Sequence, residues 1–65
     1  MYKVKSVYAN LDGNSNENNF EKFKDNLQTE LNNLISEGYT HDNIQVKIGY
    51  FTEQIHALII AYKEN

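Results

Sequence analysis

The stretch from Ile55 to Tyr62, IHALIIAY, decides how this chain folds, because it is apolar on both faces of any strand that it forms. One face would carry Ile55, Ala57, Ile59 and Ala61, and the other would carry His56, Leu58, Ile60 and Tyr62. A half-buried antiparallel strand alternates apolar with polar residues instead. We therefore predict a central strand that is covered on both sides.

The length of the chain limits how both faces of this strand can be covered. The 65 residues predict one domain, residues 1–65, which would bury only about 60% of the surface of its unfolded chain. Cysteine is absent, so disulfides cannot stabilise the fold. Oligomerisation is the remaining common way to stabilise a small fold. We expect the second cover to come from another copy of the chain or from another protein.

Charge and hydropathy narrow the class of partner. The net charge is −3, and all six cations are lysines, so no arginine is present to read guanine or phosphate with two parallel hydrogen bonds. DNA is therefore not an expected partner. No apolar stretch approaches the ~20 residues that span a bilayer, and the first residues lack a signal-peptide core. We expect a cytoplasmic protein, and the bias toward Asn and Lys suits an AT-rich bacterial or phage genome.

Residue patterns outside this segment predict one helix and two more strands. The predicted elements are a strand from Tyr2 to Tyr8, a polar loop from Asn10 to Asn19, a helix from Asn19 to Glu37, a strand from Ile44 to Tyr50 and a turn from Thr52 to Gln54. The helix carries one apolar stripe, formed by Phe20, Phe23, Leu27, Leu31, Leu34 and Ile35. Asn18 or Asn19 is the expected N-cap, and Gly38 is the expected residue after the helix.

Topology follows from the order of these elements. The last two strands form an antiparallel hairpin, and the helix returns the chain so that the first and second strands run in the same direction. Placing the third strand between them gives a wholly antiparallel sheet in the order 1-3-2, with the most apolar strand in the middle. We predict an α+β fold, β-α-β-β, with one helix packed on one face of the sheet.

Two hairpin registers remain possible, and they exchange the faces of the third strand. A two-residue turn pairs Phe51 with Gln54 and places the Ile55 set beside Ile44, Val46 and Ile48. A three-residue loop places the His56 set there instead. We favour the loop, because Leu58, Ile60 and Tyr62 supply bulk for the core. The outward, partner-binding set would then be Ile55, Ala57, Ile59 and Ala61.

Candidate catalytic and metal-binding groups are few. Asp12, Asn14 and Asn16 match the opening of a calcium-binding loop, but Glu17 and Phe23 stand where that loop needs Gly and a bidentate Glu. We therefore predict no metal site and no cofactor. His56 lies in the apolar strand, but no nucleophile or acid–base pair accompanies it at a suggestive spacing. We expect a protein that is not an enzyme, with His56 donating a hydrogen bond at an interface.

Aromatic and basic residues suggest a possible ligand surface. Five tyrosines in 65 residues are many, and they suit either strand packing and interfaces or the stacking of a flat ligand. The candidate positions are Tyr50 and Phe51 as aromatic groups, with Lys47, Lys3 and Lys5 nearby on strands to meet an anion. We expect either a small anionic or aromatic ligand or a protein partner.

Two families share features with the chain. Residues 43–65, NIQVKIGYFTEQIHALIIAYKEN, following a single amphipathic helix, resemble the C-terminal half of the small sporulation proteins of the Cse-sixty type, which have no assigned activity. The order β-α-β-β and the opening YKV are similar to dodecins, which form hollow oligomers that stack flavins on tryptophan. This chain has no Trp, so the second resemblance implies oligomerisation through a sheet face and not flavin binding.

These observations favour a non-enzymatic binding protein that forms a homo-oligomer through the outer face of its sheet. The alternative is a phage or mobile-element inhibitor that masks a host protein or sequesters a nucleotide signal. Both functions place the partner on the sheet face that the helix leaves open.

Overall fold

Three strands and one long helix make up the fold. A computed structural model describes residues 1–11 and 16–64 of the chain. Its elements are β1 (Tyr2–Asn10), α1 (Asn16–Ser36), a single 3-10 turn (His41–Asn43), β2 (Ile44–Phe51) and β3 (Gln54–Tyr62). Each predicted strand is present and extends one or two residues beyond its expected end.

Strand order confirms the predicted architecture. β3 pairs antiparallel with both β1 and β2, which gives an open sheet in the order β1-β3-β2. α1 packs on one face of this sheet, which we call the helix-side face. The fold class is α+β, with the most apolar strand in the centre, as the sequence predicts.

The helix begins earlier than the sequence pattern predicts. It starts at Asn16, so the expectation that the loop extends to Asn19 is wrong. Asn18 and Asn19 consequently lie inside the helix and are not its N-cap. The Asn19 side chain instead donates a hydrogen bond to the carbonyl oxygen of Asn10, 2.9 Å away, which ties the helix to the end of β1. Asp12 and Asn14 of the calcium-loop pattern lie outside the described residues.

Gly38 ends the helix in the predicted manner. Its φ of 100° is in the left-handed region, where a residue without Cβ is least strained. The Tyr39 amide donates to the Leu34 carbonyl at 3.1 Å, and the Gly38 amide donates to the Ile35 carbonyl at 3.0 Å. These two bonds define a Schellman motif. The motif turns Tyr39 back into the core, where it is buried beside Leu34.

The hairpin between β2 and β3 has the two-residue turn and not the longer loop. Phe51 pairs with Gln54, and Glu53 in the turn adopts a φ of 60°. This register pairs Val46 with Ile59 across the sheet. The favoured three-residue loop is therefore wrong, and so is the outward placement of the set formed by Ile55, Ala57, Ile59 and Ala61.

The core that contains this set combines small and large side chains. Ala57 and Ala61 of β3 are small, and the bulk that we expected from this strand comes instead from Phe23 and Leu34 of α1 and from Tyr39. The buried core consists of Val7, Phe23, Leu34, Tyr39, Ile55, Ala57, Ile59 and Ala61. This combination of small and large residues is favourable in a protein interior, because it leaves few voids.

The helix lies over β1 and β3 and leaves β2 largely uncovered. Two ion pairs connect β1 with the helix and the residue that follows it: Lys5 Nζ lies 2.8 Å from Oε1 of Glu30 in α1, and Lys3 pairs with Glu37. On β2, by contrast, the helix-side residues Ile48 and Tyr50 are 54% and 70% exposed. One edge of the sheet therefore has apolar side chains that α1 does not cover.

Candidate interaction surface

The ten residues predicted to bind a partner fall into three places in the structure. Four are in the core, three are on the helix side of the sheet and three are on the opposite face. The core residues are Ile55, Ala57, Ile59 and Ala61, the helix-side residues are Lys3, Lys5 and Tyr50, and those on the opposite face are Lys47, Phe51 and His56. The structure therefore does not bring the predicted set together.

The four core residues cannot contact a partner in the folded chain. Their exposure is at most 2%, and they share one core with Phe23 and Leu34 of α1. Burying such side chains stabilises the monomer, at roughly 25 cal/mol per Å² of apolar surface. Their expected role in association is corrected to a role in the core.

Lys3 and Lys5 are engaged within the chain and do not stand beside Lys47. The hydrogen bond that Lys3 donates to Glu37 lowers the pKa of that carboxyl below 4.5 and raises the pKa of Lys3 above 10.5. The bond from Lys5 lowers the pKa of Glu30 in the same way. Both ammonium groups lie on the helix side of the sheet, whereas Lys47 is on the opposite face. The three lysines therefore do not form a joint anion site.

The face of the sheet opposite α1, which we call the outer face, is rich in apolar and aromatic side chains. It is formed by Tyr2, Val4, Ser6, Tyr8 and Asn10 of β1, by Gln54, His56, Leu58, Ile60 and Tyr62 of β3, and by Gln45, Lys47, Gly49 and Phe51 of β2. Val4 is 60% exposed and Leu58, at the centre, is 41% exposed. Lys47 is the only charged residue among them. The register that buries the Ile55 set makes this the open face.

Aromatic rings surround His56 on the outer face. The Tyr8 ring stacks on the imidazole at 5.6 Å between centroids, and the Phe51 ring meets it edge-on at 5.0 Å. His56 Nε2 lies 2.9 Å from Gln54 Oε1, and the Gln54 amide donates to Asn10 Oδ1 at 2.8 Å. The imidazole is thus held in position by packing and by one side-chain hydrogen bond. This arrangement fixes the orientation of the imidazole ring on the outer face.

A shallow apolar hollow opens on the outer face where two small residues stand. Ser6 and Gly49 leave a depression of about 330 Å³ that Leu58, Phe51 and His56 border. Lys47 stands at its rim and contributes the charge on this face. The hollow has the size and polarity to receive an apolar side chain or a flat ring.

A second open surface lies on the helix side, between α1 and β2. Leu31 and Ile35 of the helix and Val46 of the strand border a groove of about 360 Å³. Tyr50, farther along β2, is on the same side of the sheet and is exposed there. This groove exists because the helix is displaced toward β1.

Several residues of the outer face did not enter the sequence prediction, since it favoured the other register. They are Tyr2, Val4, Tyr8, Leu58, Ile60 and Tyr62. One signal was available in β1. Tyr2, Val4 and Tyr8 stand at alternating positions of that strand, so they had to share one face of the sheet. The large residues of β3 had to lie either on that face or on the opposite one. The sequence did not say which, because both faces of β3 are apolar.

Metal-type clusters and membrane spans are absent from the part of the chain that the structure describes. No three His, Asp or Glu side chains of residues 1–11 and 16–64 gather to hold a metal ion. The described helix residues include no apolar stretch long enough to cross a membrane. Comparisons with family models, with curated proteins and with solved structures find no match to the chain, so both family resemblances stay predictions.

Proposed function

We propose that this chain is a non-enzymatic binding protein that forms a homo-oligomer through the outer face of its sheet. The observation that carries the proposal is the exposure of Val4, Tyr8 and Leu58 on a face that no described element covers. Monomeric proteins rarely expose so contiguous an apolar surface, and such surfaces mark interaction sites.

Burial of this face would provide a substantial free energy. A fully buried Leu or Val side chain contributes roughly 1.5–3 kcal/mol relative to the exposed state. Small domains have total stabilities of roughly 5–15 kcal/mol, so a few such side chains matter. Covering Leu58 and its neighbours would therefore stabilise a chain whose own core is small.

A second copy of the chain is the partner that best fits the charge of the face. The outer face has no carboxylate among its described residues, and its one cation, Lys47, is on an edge strand where the ammonium can stay in water. Two such faces do not repel each other when they meet around a twofold axis. The tyrosines at the margins suit an interface, since their rings pack while their hydroxyls stay hydrated.

The hollow above Gly49 would lie within this interface and supports ligand binding there. A small aromatic or anionic molecule would stack on the rings beside His56 and pair with Lys47. A thermal-shift screen with nucleotides and flavins tests this part, because a ligand that binds only the folded state raises the melting temperature.

Replacement of Leu58 by Lys tests the oligomer. Light scattering of the Leu58→Lys variant should give half the mass of the native protein, because an ammonium at the centre of the interface cannot be buried without a large penalty. The fold should persist, since this side chain is already partly in water. A matched control is Thr29→Lys, which places the same charge on the exposed side of α1.

Two outcomes would contradict the proposal. The native protein would be monomeric at millimolar concentration, or Leu58→Lys would keep the native mass while remaining folded. The first outcome would favour the alternative function, an inhibitor that covers a host protein with the same face, because that function does not need a second copy.

A further inference from the structure

Strand β2 offers an interaction edge that is separate from the outer face. Seven of its eight residues are exposed, although it lies in a sheet beside the buried β3. Alternate residues of an antiparallel edge strand direct their N–H and C=O groups away from the sheet. An edge of this kind is a template on which another strand can pair.

The other edge of the sheet is protected in a way that β2 is not. On β1, Lys3 and Lys5 are on the helix side, where Lys5 meets Glu30 of α1 and Lys3 meets Glu37, the residue that follows α1. Charged residues and a covering helix are the usual means by which proteins block edge pairing. β2 has a single charge, on Lys47, and α1 does not cover it.

Side chains on the helix side of β2 are apolar as well as exposed. Val46, Ile48 and Tyr50 are 38%, 54% and 70% exposed. Val46 also lines the groove that Leu31 and Ile35 of α1 border. β-branched and aromatic residues at neighbouring positions form favourable pairs across antiparallel strands. The edge therefore combines available backbone groups with side chains that pair well.

Gly49 adds an observation that the single chain does not explain. It stands inside a strand, where glycine is unfavourable, and its backbone is not in the left-handed region. The pairing of β2 with β3 continues through it without a bulge. No described atom outside its chain neighbours lies within 4 Å of where its Cβ would stand. A strand glycine without a bulge is typical of a place where another group approaches closely.

We propose that β2 pairs antiparallel with β2 of a second copy, with the twofold axis at Ile48. In this register Ile48 stands opposite the partner's Ile48, and Val46 stands opposite the partner's Tyr50. Lys47 stands opposite the partner's Gly49, so its aliphatic stem fills the space over the glycine and the two lysines are not opposed. An axis at Lys47 would instead place like charges directly opposite each other, which is destabilising.

This pairing produces a continuous six-stranded sheet with both helices on the same face. The apolar pairs would cover the exposed helix-side residues of β2, and they would extend the core across the axis. The outer faces of the two copies would join into one larger surface. The edge pairing is thus compatible with the outer-face association and does not depend on it.

Single-cysteine variants test the register directly, because the chain has no cysteine of its own. Opposed residues of antiparallel strands have Cα atoms roughly 4.5–5.5 Å apart, within the range that a disulfide bridges. Ile48→Cys should therefore form an intermolecular disulfide under mild oxidation. Val46→Cys should not, since its own counterpart would be four residues away along the partner strand. Thr29→Cys on α1 measures random collision.

A non-reducing gel should show at least about tenfold more covalent dimer for Ile48→Cys than for Thr29→Cys. Equal yields for these two variants, or a higher yield for Val46→Cys, would overturn the proposal. Repeating Ile48→Cys in the Leu58→Lys background separates the two interfaces. A retained disulfide there supports the edge pairing whether or not the outer face associates. Loss of the disulfide in folded protein would show that the edge does not pair by itself and would contradict this inference.

Discussion

Two of the described residues have a positive φ, each in a turn, and only one of them is glycine. Gly38 adopts 100° after the helix, and Glu53 adopts 60° in the hairpin turn. A residue with a side chain pays roughly 1–2 kcal/mol for the left-handed conformation. At Glu53 this conformation belongs to the two-residue turn that places the Ile55 set on the same face as Ile44, Val46 and Ile48.

Replacement of Gly38 by Ala should destabilise the fold by about 1 kcal/mol. The cost is conformational, because a Cβ there would meet only Lys63 Nζ at 3.6 Å, an ordinary contact. Urea denaturation measures the change. Gly49→Ala is the matched control: it introduces the same methyl group where φ is not positive and space is open, so monomer stability should be unchanged or slightly higher. Equal losses for the two variants would contradict this explanation.

At the scale of elements, the two apolar faces of β3 differ in how far they are buried. One face is sealed beneath α1, and the other is part of the outer face. Neighbouring residues of the same strand therefore have different energetic roles. The structure assigns Ile59 to monomer stability and gives Leu58 a surface position.

Truncation of these neighbours should separate their roles. Ile59→Ala should cost about 2–5 kcal/mol of unfolding free energy, because it removes a fully buried side chain and leaves a cavity. Leu58→Ala should cost much less in the monomer, since its side chain is partly hydrated. Chemical denaturation of both variants at low concentration checks the difference. The reverse order would indicate the three-residue loop register.

The ion pairs that join β1 to Glu30 of α1 and to Glu37 just after it should make stability depend on pH in the acid range. Glu30 and Glu37 have pKa values lowered by the hydrogen bonds that Lys5 and Lys3 donate. Carboxyls of this kind stabilise the folded state above their ordinary pKa of 4.5. That contribution is lost as pH falls through the lowered folded-state value, because the unfolded chain then binds protons more readily.

Thermal melts between pH 6 and about pH 3 should show this loss, and the Glu30→Gln/Glu37→Gln variant should show a shallower decline. Glu64→Gln, a control that removes one carboxylate outside these two ion pairs, should retain the native slope. An unchanged slope in the double variant would show that the ion pairs do not couple folding to protons. The raised pKa of Lys3 predicts a second loss, at pH above 10.5.

For the whole molecule, one helix cannot cover a sheet whose two faces and one edge are apolar. α1 covers part of the helix-side face, and it leaves both the outer face and the β2 edge exposed. The chain is short, so its core is limited to eight buried hydrophobic residues among those described. Small folds of this kind gain stability by association when they lack disulfides.

Thermal stability should therefore depend on protein concentration. A rise of about 100-fold in concentration should raise the melting temperature of the native protein, because association stabilises only the folded state. Leu58→Lys should reduce this dependence, and Thr29→Lys should not. A native melting temperature that is constant over this range would count against association through the outer face.

Patterns in the sequence were enough to predict the elements, their order and the sheet topology. The apolar spacing of α1, the glycine after it and the alternation in β2 are local signals, and each depends on residues close together in the chain. The early start of the helix was not predicted, because Asn16, Asn18 and Asn19 are residues typical of a loop. At the N-terminus of a helix, however, asparagine is tolerated. The candidate site was predicted only in part: Lys47, Phe51 and His56 lie on the outer face, as proposed for a binding surface.

The sequence by itself determined that IHALIIAY is a central strand with two apolar faces, because composition and strand pairing follow from the chain. Only the tertiary structure decided which face is open. A shift of one residue in the hairpin exchanges two faces of similar hydrophobicity, so local patterns cannot distinguish them. In the structure the Ile55 set shares one core with Phe23 and Leu34 of α1 and with Tyr39, whose bulk complements the small Ala57 and Ala61, and Leu58 and Ile60 are left on the outer face.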